Sequence, residues 1–377
     1  MDIPAFAFAT ANEIVFGRGK ARQSPPRIAS LGRSVFVVTG QNAARNEWLF
    51  DALRAEGCEV RTFSVAKEPD VETILAGVAA AKGCDVVVAI GGGAVIDAGK
   101  AIAAIVPASR DLMDHLEVVG KGLPLDNPPL PFVAMPTTSG TGAEVTKNAV
   151  IDVPEHKRKV SLRDNRMLAD LAIIDPALTD NCPKAITLAS GLDAITQVIE
   201  PYICTRANPM TDALCSDAIP RGLKAIQTLM EREDTAARDD MALVSLFGGL
   251  ALANAGLGVV HGLAGPLGGL TGAPHGAICG ALLPHGLATN LSADPDNQRI
   301  AEVIRWIADA FGTTEQNALG ALTDWSRANG LKGLDDMGIS QGAREAAAKA
   351  TETSSSMKAN PVRLTYEQLI ALMENAR

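Results

Sequence analysis

Between Met241 and Ala293 the chain runs for 53 residues without an Asp, Glu, Lys or Arg, and three of its five histidines lie inside that stretch. They are His261, His275 and His285. Charged residues make up 20% of the whole chain, so a gap of this length describes a segment kept out of bulk water. A membrane span needs about 20 mostly apolar residues in an unbroken run. Here a dozen glycines, Pro266, Pro274 and the histidines break every run, which points to buried helices of a folded protein. A plain helical core explains Leu243–Ala255 but leaves the imidazoles unexplained. Taken singly, each histidine reads as a hydrogen-bonded core residue. Retained together where nothing else polar is tolerated, they point to a buried site, most simply a metal site.

At 377 residues the chain is long enough for two domains and a large core. Its net charge of −9 and the lack of a basic cluster argue against nucleic acid and anionic membrane as partners. The first residues, MDIPAFAFATANEIVFG, show neither the basic nor the apolar region of a secretory signal. Six scattered cysteines (Cys58, Cys84, Cys182, Cys204, Cys215, Cys279) form no CxxC pair and read as reduced, mostly buried thiols of a cytoplasmic protein.

Up to about residue 178 short β-branched runs alternate with Ala-rich segments of helical period. The runs are Ser34–Thr39, Glu59–Val65, Asp85–Ile90, Pro131–Pro136 and Leu171–Asp175; the clearest helical segments are Asn46–Glu56 and Val71–Lys82. Near-continuous apolar strands alternating with helices predict a parallel sheet covered on both faces. After Asp175-Pro176 the strand signals stop and helical segments follow to the end. The expected fold is an α/β domain with a parallel sheet over residues 1–180 and an all-α domain over 181–377. The cleft between the halves is the expected place for a site.

Two loops carry phosphate chemistry. Strand 85–90 runs into Gly91-Gly92-Gly93-Ala94-Val95-Ile96-Asp97, a strand, a glycine turn and a helix start. Such a turn lets backbone amides and the positive end of a helix approach an anion. The pattern is neither GxGxxG nor GxxxxGK[ST], and a ligand-free tight turn has the same spacing. The second loop holds Thr137, Thr138, Ser139 and Thr141 with two glycines after another strand. It reads as a polar surface loop or as a partner for phosphate and ribose. Two such loops at strand ends fit a dinucleotide across the sheet edge.

Asp193 and Gln197 are four residues apart on a predicted helix, with Ser190 as its expected N-cap, so they share one face. On one straight helix His261 and His275 would lie about 21 Å apart. The chain must turn between them to bring both to one ion, and Pro266, Gly268-Gly269, Gly272 and Pro274 supply the turn. One carboxylate, one amide oxygen and two imidazoles suit Fe²⁺, Zn²⁺, Co²⁺ or Mn²⁺ better than Mg²⁺ or Ca²⁺. His285, after Leu-Leu-Pro in an expected turn, reads as structural.

Taken together, GGGAVIDAGK (91–100), MPTTSGTGAEVT (135–146), IIDPALT (173–179), ASGLDAITQVIEPYICTRANPMTDALC (189–215), HGLAGPLGGLTGAPHG (261–276) and SMKANPVRLT (356–365) resemble the iron-containing (group III) alcohol dehydrogenase family. The resemblance covers nearly the whole chain. It implies the dehydroquinate synthase-like fold of that family, with an α/β, Rossmann-like dinucleotide-binding domain over residues 1–180, and reversible, NAD(P)-linked oxidation of a small alcohol to an aldehyde or ketone. It also implies a divalent metal, Fe²⁺ or Zn²⁺, in the helical domain and a homodimer or larger assembly. By position, Gly91 to Asp97 with Thr137, Thr138, Ser139 and Thr141 would hold pyrophosphate and nicotinamide ribose. Lys159 matches a family lysine near the cofactor. Asp193, His261 and His275 match three of the four family metal ligands.

Three positions depart from the family. The fourth ligand, usually His, is Gln197, whose neutral amide oxygen is a weaker donor. A further family histidine, thought to relay protons, is replaced by Gly265. The second strand ends at Gly40 where NAD-preferring members carry Asp, so nothing repels a 2′-phosphate and Arg45 is near to pair with one. This favours NADP over NAD. The rival readings are a metal-independent enzyme resembling the maleylacetate reductases, a relative of dehydroquinate synthase, and a non-catalytic dinucleotide-binding protein that has lost its site.

Overall fold

A computed structural model describes residues 5–156 and 158–377. The chain divides into two compact units, one of Ala9–Thr138 with Gly142–Thr179, the other of Asp180–Arg377 with Ser139–Thr141.

The α/β unit contains β1 (Ile14–Phe16), α1 (Pro25–Leu31), β2 (Ser34–Thr39), α2 (Glu47–Ala55), β3 (Glu59–Ser64), α3 (Val71–Ala81), β4 (Val86–Gly91), α4 (Gly93–Ile105), α5 (Leu112–His115), β5 (Phe132–Pro136), β6 (Asn148–Val153), β7 (Arg158–Arg163) and β8 (Leu171–Ile174). Six strands form one sheet in the order β1-β8-β5-β4-β2-β3. Every neighbouring pair in it is parallel, as the apolar runs predict. Residues of β4 and β5 are buried throughout, because helices cover both faces of the sheet. The short β1 and the antiparallel β6–β7 hairpin carry weaker signals, being three residues long and mixed in polarity respectively.

The strand order reverses between β2 and β4. From β2 the chain builds outward to β3, then returns to β4 and continues to β5 on the other side. In open α/β sheets ligands bind at the carboxyl ends of strands at such a reversal. Thr39 pairs with Ile90 in register, so Gly40 and Gly91 end adjacent strands at that point. The glycine turn and the hydroxyl loop adjoin: Thr137 N–H donates to the Gly91 carbonyl at 2.9 Å.

The helical unit contains α6 (Lys184–Ile203), α7 (Pro209–Glu231), α8 (Thr235–Asn254), α9 (Val259–Thr271), α10 (His275–Ala293), α11 (Gln298–Phe311), α12 (Ala318–Ala328), α13 (Gln341–Ala350) and α14 (Tyr366–Asn375). Leu192, Ile195, Val198, Ile219, Leu223 and Val244 pack α6, α7 and α8 into one core. Asn208 and Thr211 cap each other at the start of α7, with Pro209 in its first turn. The uncharged stretch becomes most of α8 together with α9 and α10. Among the described residues no single helix is long and apolar enough to cross a membrane, and the pair α8 and α9 is bent by 97°.

Two local expectations are corrected. Ser190 is not an N-cap: α6 already starts at Lys184, and Ser190 lies inside it, its hydroxyl facing the Thr187 carbonyl. The Ala-rich KAITLA segment extends the helix backward, which a Ser three residues before an Asp does not reveal. Nor is there a turn at Pro284-His285; α10 runs through both. A proline removes one intrahelical hydrogen bond, and here tertiary packing outweighs that loss.

Lys100 is buried in α4, and its ammonium donates to the carbonyls of Ala143 (2.6 Å), Thr146 (2.8 Å) and Asn148 (2.9 Å) and to the Thr146 hydroxyl (3.0 Å). Burial pushes it down to about 8, against the pull of Asp97 and Glu144. Burial likewise raises Glu144 to about 7. One buried cation thus fixes the backbone that follows the hydroxyl loop. Lys100→Met keeps the stem but removes the ammonium that these carbonyls share, and should lower stability by about 3–5 kcal/mol. A urea midpoint equal to that of the parent protein would show that Lys100 does not anchor this segment.

Candidate metal centre

One face of α6 carries Asp193, Gln197 and Glu200, at spacings of four and three residues. All three are buried. The α9–α10 junction supplies the imidazoles. Helix α9 ends at Gly272, which takes a left-handed φ of 72° that a side chain would resist, and α10 begins at His275. The turn expected between the histidines is present, but only Gly272 and Pro274 of the expected residues make it, while Pro266, Gly268 and Gly269 stay inside α9; the ring centroids lie 5.6 Å apart. Gly276 then lets α10 lie directly on α6: a Cβ there would sit 2.5 Å from the Ala189 carbonyl oxygen and 3.2 Å from Asp193 Cβ.

His261 Nε2 lies 3.5 Å and His275 Nε2 3.8 Å from Asp193 Oδ1. Cys279, one turn after His275 on α10, places Sγ 3.6 Å from His275 Nε2. The four donor atoms of Asp193, His261, His275 and Cys279 all lie within 4.8 Å of one another. Asp193 Oδ1 and His261 Nε2 are buried and have no hydrogen-bond partner. Buried polar atoms without partners are costly, and two of them converging with an imidazole and a thiol fit a divalent cation. Tetrahedral ligands at about 2.0–2.1 Å (N, O) and about 2.3 Å (S) stand roughly 3.3–3.6 Å apart, which these spacings approach. Gln197 shares the face of Asp193, but its Nε2 donates to the Thr141 carbonyl at 2.7 Å.

Glu200 and Asn360 hold the centre in place, and sequence reasoning missed both. Glu200 accepts from the Val260 and His261 amides at 2.7 and 3.3 Å and from His261 Nδ1 at 2.7 Å. Because a carboxylate only accepts, Nδ1 carries the proton and Nε2 faces Asp193. Asn360 accepts from the Val259 amide at 2.9 Å and is locked by Asn290. Two side chains therefore satisfy the first amides of α9. The signal for Glu200 was a lone carboxylate on the Asp193 face in an otherwise apolar run, VIEPYI.

The charges reinforce one another. Burial would lower His275, but Cys279 and Asp193 outweigh it and push it up to about 9. His261 is held well above its ordinary value: burial opposes this, and Cys279, Asp193 and Glu200 overcome it. Burial would raise Asp193, yet the neighbouring imidazoles hold it down.

The dinucleotide residues predicted from sequence are placed as follows. Gly91 ends β4, Gly92 is the N-cap of α4, and Gly93, Ala94 and Asp97 lie in its first turns, with no side chain capping the helix. A Cβ on Gly91 would lie 2.6 Å from Val95, and one on Gly92 3.4 Å from the Thr138 hydroxyl. Asp97 Oδ2 accepts from the Val150 amide at 3.2 Å. Thr137 and Thr138 belong to the α/β unit, whereas Ser139 and Thr141 pack with the helical unit. Lys159, on β7, pairs with Glu68. Gly40 follows β2, and a Cβ there would meet nothing within 4 Å.

In a chelator-competition titration, Glu200→Gln should weaken metal binding by about 10–100-fold, the usual cost of losing a supporting hydrogen bond. The parent's affinity should rise with pH, because a cation must displace the protons that His275 and His261 hold. An unchanged affinity in Glu200→Gln would remove Glu200 from the centre.

Comparison with known proteins finds relatives along nearly the whole chain. The family described as iron-containing alcohol dehydrogenase matches residues 11–176, and the C-terminal part of the Fe-containing alcohol dehydrogenase family matches residues 187–377. The 1,3-propanediol dehydrogenase of Klebsiella pneumoniae is 34% identical over 86% of this chain and 85% of its own length. The NAD-dependent methanol dehydrogenase of Bacillus methanolicus is 30% identical over 96% of this chain and 97% of its own. The crystal structure of a 1,3-propanediol oxidoreductase superposes with a TM-score of 0.90 at 31% identity, covering 99% of this chain and all of the other. The chain belongs to the iron-containing alcohol dehydrogenase family.

Proposed function

We propose that this protein interconverts a small, weakly charged alcohol and its aldehyde or ketone, using a nicotinamide dinucleotide and a divalent cation held by Asp193, His261 and His275. The observation that carries the reading is the convergence of two partnerless buried atoms, Asp193 Oδ1 and His261 Nε2, on the His275 imidazole. A 1–180 domain would bind the dinucleotide, and a 181–377 domain the metal and substrate.

When bound, the cation supplies Lewis acidity toward the substrate oxygen. The nicotinamide supplies or accepts the hydride. The protein's own part is positioning. Glu200 and Asn360 fix the first turn of α9 and so aim His261. The uncharged helices α9 and α10 bury His261 and Cys279, which strengthens the charge interactions of those side chains. Gly91, Gly92 and Gly93 with the α4 N-terminus, and Thr137 and Thr138 beside them, suit a pyrophosphate; Ser139, Thr141 and Lys159 complete the proposed cofactor set. At Gly265, four residues after His261, an added Cβ would meet nothing within 4 Å. The alcohol proton therefore leaves through water or a cofactor hydroxyl.

The dinucleotide is NADP in preference to NAD. Gly40 at the switch point places no carboxylate against a 2′-phosphate, and Arg45 follows in the same loop. The Bacillus methanolicus relative is by its name NAD-dependent. The same reading puts the protein in the cytoplasm as a homodimer or larger assembly.

Reduction of a panel of small aldehydes, with NADPH and with NADH, tests this directly. Activity should favour NADPH, disappear on exhaustive chelation, and return with Fe²⁺ or Zn²⁺. Full activity after chelation would favour a metal-independent reductase, and cofactor binding without turnover of any aldehyde would favour a non-catalytic protein.

A further inference from the structure

Cys279 enters neither the family's ligand set nor the reading above, yet it stands in the centre. It lies one helical turn after His275, so both project from the same face of α10. Its side chain is fully buried. Gly280 beside it lets α10 press on α6, since a Cβ there would lie 2.7 Å from Leu192 Cδ1. The result is a thiol 3.6 Å from His275 Nε2, close to the separation expected for sulfur and nitrogen bound to one tetrahedral ion.

Gln197 occupies the position of the fourth family ligand, but it already has a different partner. The Thr141 carbonyl can only accept, so the NH₂ end of the Gln197 amide must face it, at 2.7 Å. The amide ties the Ser139–Thr141 segment to α6. The remaining strong donor among the four that converge is sulfur.

We propose that Cys279, as a thiolate, is the fourth ligand of this centre, in an Asp193–His261–His275–Cys279 set, and that Gln197 serves to hold the Thr141 carbonyl. This rests on the reading of the centre as a metal site. The thiol gives up its proton to solvent as the cation binds, and the ligand charge rises from one negative to two. A thiolate is soft, so the exchange favours Zn²⁺ and Co²⁺ over Mn²⁺ and Mg²⁺.

Cobalt substitution reads the ligand directly. The Co²⁺-loaded parent should show an intense near-ultraviolet sulfur-to-cobalt charge-transfer band besides weaker visible bands. Cys279→Ser should lose the first and keep the second, whereas Gln197→Ala should keep both. Zinc affinity in a chelator competition should fall in Cys279→Ser by more than about 100-fold, beyond the cost of a lost supporting hydrogen bond, with a smaller fall for Mn²⁺. X-ray absorption at the zinc edge of the parent needs no variant and should report one sulfur at about 2.3 Å. Visible cobalt bands without the charge-transfer band, and no sulfur at the zinc edge, would overturn the proposal while leaving the metal reading intact. If the parent bound neither Zn²⁺ nor Co²⁺, both would fall together.

Discussion

The carboxylate of Glu200 is the contact on which the helical unit's centre depends. It is buried on α6, it accepts the amides that open α9, and it holds the His261 ring by Nδ1. Burying a carboxylate costs several kcal/mol unless its oxygens are paired. Here the pairing is done by the start of the next helix, so stabilising the charge and aiming the imidazole are one event. The Asn360–Asn290 pair extends the arrangement to the C-terminal SMKANP segment, and Gly258 keeps room for it: a Cβ there would lie 2.8 Å from both Glu200 Oε1 and Asn360 Oδ1.

The uncharged stretch follows from the same constraint. Helices α6, α9 and α10 hold a cluster of one carboxylate, two imidazoles and one thiol, with Glu200 just behind and α8 packed on α6. Any further charge placed among them would be desolvated without a partner. Glycines replace side chains where helices must meet closely, as at Gly276 against Ala189 and Asp193. A segment that looks featureless in charge is therefore the part of the chain that tolerates fewest additions.

Much of this was legible in the residues. The apolar runs placed β2, β4, β5 and β8 and their parallel pairing, because strands buried on both faces carry a continuous signal, whereas the edge strand β3 was marked only by its Val, Thr and Phe. The glycine turn after β4 was legible because a strand ending in three glycines ahead of an Ala-rich run has few alternatives. The turn between His261 and His275 followed from helix geometry once one ion was asked to take both, with Gly and Pro residues between them to make it. Other features were not readable. Ser190 looked like a cap because capping residues are recognised locally, while helix starts also depend on packing upstream. Cys279 was taken for an ordinary buried thiol, since no CxxC spacing marks a ligand whose partners lie on other helices. The separation of Thr137 and Thr138 from Ser139 and Thr141 is a tertiary fact with no local signature.

Family membership and the particular residues of this chain pull in different directions. By the resemblance, Asp193, His261 and His275 are expected at family ligand positions and Gln197 and Gly265 where histidines are usual, while Cys279 brings a thiol to the point where the first three converge. The central claim is that these side chains bind one cation. An anomalous difference map at the metal edge, from crystals of metal-replete protein, tests it most directly. A single peak about 2.0–2.3 Å from Asp193, His261, His275 and Cys279 is the predicted result. A flat map at that point, with the metal bound elsewhere or not at all, would contradict it.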